Sequence, residues 1–192
     1  MSFFEFFIFS LALSIELLIV LRSCALKTRI VLTRGLCVSV IAALIYSLLL
    51  VLGIVVGNVL RFESATDPGL YDNINSLIYL GLMIVVGLKM MLPAMKKNRQ
   101  IPAYDISRWA TVFALSVASG INVLLVGLGL GFIASVEHNA LKGAITLFVM
   151  AFLFGYLGIM MGRQKKMLGE RRWMLIAVLL LLVTAIFRVV EY

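Results

Sequence analysis

Of the 192 residues in the chain, 63% are hydrophobic and only 14% are charged, and the mean hydropathy is +1.12. Soluble globular domains carry nearer half apolar and a quarter charged residues, so this composition excludes a water-soluble fold and marks an integral membrane protein. The excess of 17 Lys and Arg over 9 Asp and Glu forms no stripe or tail, which argues against nucleic acid as a partner.

A hydrocarbon core of about 30 Å takes about 20 helical residues, and six stretches reach that scale: residues 3–21, 36–60, 74–92, 109–134, 144–161 and 173–190. The first has no basic segment before it and no small-residue cleavage pattern after it, and reads as a retained helix rather than a leader. Near its middle stands Glu16, in Ser14-Ile15-Glu16-Leu17-Leu18-Ile19-Val20. A carboxylate at this depth is costly, and its default explanation is function. Cys24 and Cys37 bracket the basic loop that follows, on the side expected to be reducing, so no disulfide is expected between them. With two Cys and one His in the whole chain, a zinc site of the thiolate or imidazole kind lacks ligands.

The second span carries Tyr46 and ends in Leu52-Gly53-Ile54-Val55-Val56-Gly57; Asp67-Pro68-Gly69 then signals a turn, flanked by Glu63 and Asp72. That loop reads as an ordinary solvated one before a cation-attracting mouth. Tyr79 and Gly87-Leu88-Lys89-Met90 mark the third span, and residues 96–108, with Pro102 and a basic run, form a short cytosolic joint. The fourth span contains Ser116, Ser119 and Gly120-Ile121-Asn122-Val123-Leu124-Leu125-Val126, followed by Gly127, Gly129 and Gly131. Close helix packing is the plainer role of these glycines, with bending at Gly120 the alternative. Glu137-His138-Asn139 forms the next loop, where a lone His is more often solvated than a ligand. Leu157-Gly158-Ile159-Met160-Met161-Gly162 closes the fifth span, which also holds Tyr156, and Arg188 and Glu191 stand at helical pair spacing at the end of the sixth.

Loop charges are one-sided. Arg22, Lys27, Arg29, Arg34, Lys96, Lys97, Arg99, Arg108, Arg163, Lys165, Lys166, Arg171 and Arg172 fall on one face with only Asp105 and Glu170; the other face has Arg61 and Lys142 as its loop cations. The positive-inside rule therefore places both termini outside. The small-Ile-polar pattern of the first span returns in the fourth, and the Leu-Gly-x-x-x-Gly of the second returns in the fifth. One membrane domain, 1–192, is expected to consist of two three-helix repeats, 1–100 and 101–192, inserted in opposite orientations because three is odd. The fold class is all-α, a polytopic bundle of six transmembrane helices.

An inverted axis that brings helices one and four together makes Glu16 and Asn122 meet near the midplane, with Ser14 and Ser119 nearby as the remaining candidates for a transported-ion site. Carboxylate, amide and hydroxyl oxygens suit hard cations such as Mn²⁺ or Mg²⁺. The sequence has no paired intramembrane aspartates, no His-Glu-x-x-His and no Gly-x-Ser-x-Gly, so no enzyme and no catalytic residue is expected.

Leu13-Ser14-Ile15-Glu16 and Ser119-Gly120-Ile121-Asn122, the Leu-Gly-x-x-x-Gly ends of spans two and five, Gly87-Leu88-Lys89-Met90 and the six spans together resemble the MntP family of manganese efflux proteins. That family is one of a wider group of inverted-repeat exporters that includes LysE-type amino-acid exporters and TerC-like proteins. The resemblance covers nearly the whole chain and is clearest over residues 11–20 and 113–163. It implies export of a divalent cation, Mn²⁺ above all, from the cytosol through a site on helices one and four, in a bacterial plasma (inner) membrane. No permanently bound cofactor is implied, with Mn²⁺ the candidate substrate, and assembly into a homo-oligomer is left open. The family has Asp at both positions where this chain has Glu16 and Asn122, and an acid and a proline in helix two where this chain has Tyr46 and Leu50. At an effective dielectric of 20 and 4 Å a divalent ion gains about 8 kcal/mol from each carboxylate before desolvation. A single acid therefore leaves export of another small solute or a monovalent cation, or a scaffold without transport, as the alternative.

Overall fold

The computed structural model describes residues 3–27, 31–62, 68–95, 104, 106, 108–133, 140–163 and 170–190. Lipid offers no hydrogen-bond partners to the backbone, so a spanning chain must satisfy its amides internally. Among the described residues every regular element is a helix: α1 (Phe3–Lys27), α2 (Leu32–Leu60), α3 (Pro68–Met95), α4 (Trp109–Gly131), α5 (Ala140–Arg163) and α6 (Glu170–Val190). The first five are long and apolar enough to cross a membrane; the described apolar stretch of α6, Arg172–Ile186, is shorter. Leu44, Leu48, Leu52, Val55 and Val59 form an exposed stripe along α2, the pattern expected of a face turned to lipid.

The helices are longer than the apolar runs that announce them. α1 continues through Arg22, which is a buried helical residue rather than a loop cation. The expected turn at Asp67-Pro68-Gly69 is corrected likewise: Pro68 and Gly69 open α3, where the missing proline N–H costs nothing because first-turn amides have no helical acceptor. Glu63, Asp67, Glu137, His138 and most of the 96–108 joint lie outside the described residues. Cys24 is buried and Cys37 exposed, and both are free thiols.

α1 packs chiefly against α5 and α2 against α4; α2 also meets α5, α3 meets α6 and α4, and α1 meets α6 and touches α4 least. Glycine sets the two principal crossings. A Cβ added at Gly53 would lie 2.4 Å from the Leu124 carbonyl oxygen and one at Gly57 2.2 Å from that of Leu128. On the other crossing a Cβ at Gly158 would lie 2.5 Å from the Leu18 carbonyl oxygen and one at Gly162 2.6 Å from that of Arg22. Both approaches are too close for any side chain and place backbone directly against backbone, the dense packing that holds helices together in lipid.

Two polar contacts fasten the ends. Asn75, buried in α3, donates from Nδ2 to the Phe62 carbonyl oxygen at 3.0 Å and accepts at Oδ1 from the Phe62 N–H at 3.3 Å, so its amide stands in for a backbone partner where α2 has ended. The guanidinium of Arg34, near the start of α2, lies 5.1 Å from the ring centroid of Trp109 at the start of α4, a cation–π geometry.

Gly57→Val and Gly162→Val should each destabilise the protein by about 1 to 3 kcal/mol or more through overpacking. Gly81→Val, where an added Cβ meets nothing within 4 Å, should be nearly neutral; melting temperatures in detergent check the contrast.

Candidate functional site

Glu16 and Asn122 lie two residues before Leu18 and Leu124, the residues whose carbonyls face Gly158 and Gly53. The same register on both crossings turns the two polar side chains toward each other. Asn122 Nδ2 donates to Glu16 Oε1 at 2.7 Å and to Oε2 at 2.9 Å. Asn122 is 3% exposed and Glu16 is partly buried. The carboxyl group of one helix is thereby hydrogen-bonded to a neutral donor on another. The other end of the amide, Asn122 Oδ1, is buried without a hydrogen-bond partner.

Ser119 lies three residues before Asn122 and hence on the same side of α4. Its hydroxyl donates to the carbonyl oxygens of Leu115 at 2.8 Å and Ser116 at 3.3 Å, so its lone pairs, not its proton, are available to a neighbour. Ser14 falls elsewhere. Two residues correspond to about 200° of helical turn, which puts Ser14 on the far side of α1 from Glu16, and its buried Oγ has no hydrogen-bond partner. The structure thus joins Glu16 to Asn122 and sets Ser119 beside them, and it records no contact of Ser14 with the pair.

Two residues enter that the sequence reading had not placed in the site, although it had noted Tyr46 in span two. Tyr46, from α2, is completely buried, with Ser119 and Glu16 as polar neighbours. Ser10, on α1, is 3% exposed, as Ser116 is 2% exposed on α4. The 106-residue offset that relates Glu16 to Asn122 also relates Ser10 to Ser116, and this was the signal that could have found Ser10. Among the described residues no cluster of three His, Cys, Asp or Glu side chains is assembled, so a cation held here would rely on one carboxylate and on neutral oxygens.

A family profile described as "Putative manganese efflux pump" matches residues 68–187 of the chain. The chain belongs to that family. The matched stretch holds Asn122 and Ser119, while Glu16, Ser14 and Tyr46 precede it. The MntP protein of Methanocorpusculum labreanum, which carries the same description, is 28% identical over 116 residues, 60% of this chain and 60% of the relative. The chain therefore matches less than two thirds of that relative's length. No solved structure matches the chain. Membership in the manganese efflux family accords with an integral membrane bundle and with a transporter rather than an enzyme.

If the pair is a coupled unit, a double-mutant cycle of Glu16→Leu and Asn122→Leu should give a coupling of about 1 to 2 kcal/mol, the upper range for interhelical hydrogen bonds in membranes. Reversible unfolding of the four proteins in detergent measures it.

Proposed function

We propose that the chain exports a divalent cation, Mn²⁺ first among candidates, from the cytosol through a site centred on Glu16 and Asn122. The observation that carries this reading is the direct contact of an intramembrane carboxylate with an amide on another helix, inside a member of a manganese efflux family. A buried carboxylate without a compensating cation or donor is costly, and here the donor is a neutral amide N–H, which a metal ion carrying full charge would replace. Rotation of the Asn122 side chain would then bring Oδ1 to the ion and give that orphaned oxygen a partner. Ser119 adds a hydroxyl on the same side of α4, whereas Ser14 would reach the site only after a turn of α1.

In this reading the two three-helix halves, 1–100 and 101–192, are inverted repeats that each supply one side of the site. Its support is that exchanging α1–α3 with α4–α6 leaves the set of neighbouring helix pairs unchanged, and that the two glycine crossings share one register. The membrane is a bacterial plasma membrane with both termini outside, so the basic loops face the cytosol that supplies the cargo. One observation favours a second reading, a singly charged cargo: the pair offers one carboxylate, which balances one positive charge and leaves a divalent ion half compensated.

Cells expressing the protein should tolerate excess Mn²⁺ better than controls, and Glu16→Gln should remove the benefit. In inverted vesicles Asn122→Asp should lower the apparent KM for Mn²⁺ by about tenfold, equivalent to about 1.4 kcal/mol. Vesicles that move Na⁺ or K⁺ but not Mn²⁺, Cd²⁺ or Ca²⁺ would favour the second reading.

A further inference from the structure

We propose that Tyr46 is a third-helix ligand of the transported cation, supplying from α2 a neutral hydroxyl oxygen that completes the site of Glu16 on α1 and Asn122 on α4. The inference rests on the export reading and adds to it a residue from another helix.

The first ground is an unreturned cost. Tyr46 is 0% exposed, and its hydroxyl has no hydrogen bond of ordinary geometry. A buried hydroxyl with only the poorly aligned Ser119 hydroxyl beside it is incompletely satisfied, and phenylalanine would fill the same space without that loss. A tyrosine held this way makes sense where a ligand supplies the partner during function.

Placement is the second ground. The Tyr46 ring lies against Gly120, two of its carbons 3.7 Å from where a Cβ would stand, and the same Cβ would collide with Leu49 Cδ1 at 2.4 Å. Gly120 is thus the opening on α4 against which α2 presents this ring, two residues from Asn122. Around the hydroxyl the polar neighbours are Ser119 and Glu16.

Hydroxyl polarity gives the third. The Ser119 proton is committed to the Leu115 carbonyl oxygen at 2.8 Å, so Ser119 can only accept from Tyr46. A Tyr46 O–H turned to Ser119 leaves the phenolic lone pairs for a cation seated at the Glu16 carboxylate. Asn122 Oδ1 is buried without a hydrogen-bond partner, and one ion between the two oxygens would engage both. Following the glycine register of the crossings, Ala151 on α5 matches Tyr46 on α2 and offers no polar atom, so the hydroxyl is not a packing feature repeated in both halves. A phenolic oxygen on a rigid ring is a hard, neutral donor at fixed distance, suited to a small ion that has shed part of its water.

The test uses the full chain, purified in detergent and reconstituted in liposomes, with Mn²⁺ as probe. Tyr46→Phe should raise the KM for Mn²⁺ about tenfold with kcat within about twofold. The metal-free melting temperature should hold within about 2 to 4 °C, because the hydroxyl lost makes no hydrogen bond of ordinary geometry. An unchanged KM in a folded Tyr46→Phe protein overturns the inference while leaving the export reading intact. A raised KM with a melting temperature lowered by more than about 5 °C also overturns it, as the sign of a structural role. Should Tyr46→Phe not fold, Tyr46→Met decides by the same measure: a KM for Mn²⁺ raised about tenfold in the folded protein supports the inference and an unchanged KM overturns it. A wild-type protein that neither transports Mn²⁺ nor is stabilised by it overturns both this inference and the export reading.

Discussion

Backbone pressed on backbone at two glycine-lined crossings fixes how every other group in the bundle is aimed. In lipid no hydrophobic force drives one helix onto another, so close van der Waals contact has to do it. Here Gly53 and Gly57 seat α2 on the carbonyls of Leu124 and Leu128, and Gly158 and Gly162 seat α5 on those of Leu18 and Arg22. Because a Cβ fits at none of these four positions, neither helix of a pair can roll or slip by one residue. The rotation of α1 and α4 about their own axes follows, and with it the direction of Glu16 and Asn122.

The polar groups gathered by that geometry are not arranged for greatest stability. Glu16 receives two short contacts from one amide nitrogen, yet the other end of the same amide and the Tyr46 hydroxyl lack hydrogen bonds of ordinary geometry. Structural polar networks in membranes tend to be closed, since each open valence destabilises; here Asn122 Oδ1 is open and the Tyr46 hydroxyl has only the poorly aligned Ser119 beside it. A network left open on its oxygen side, beside a carboxylate, is the feature on which the proposed cation site rests.

Much of this arrangement was legible before any coordinates, and the parts that were not have identifiable causes. Hydropathy showed the spans because lipid demands apolar helices, but it stopped at the first charges, so the last turns of α1 up to Lys27 and the start of α3 at Pro68 were read as loops. Glu16 and Asn122 stood out because polar residues in such surroundings are rare and because a fixed offset linked them. Ser14 was grouped with them by nearness in sequence, which a helix converts into opposite faces at a spacing of two. Tyr46 was passed over because tyrosine is unremarkable within a span; only the pairing of α2 with α4 shows that it borders the acid. The family profile reaches Asn122 but not Glu16, so the meeting of the two depends on the geometry alone.

The interlocked crossings also bear on how such a bundle could change shape. With sliding blocked inside each couple, α1 travels with α5 and α2 with α4, and the cation–π clasp of Arg34 on Trp109 ties the second couple at one membrane face. The slenderest seam is the one between α1 and α4. The carboxylate–amide contact of Glu16 with Asn122 is the polar bridge across that seam, so it joins two couples that otherwise touch little there.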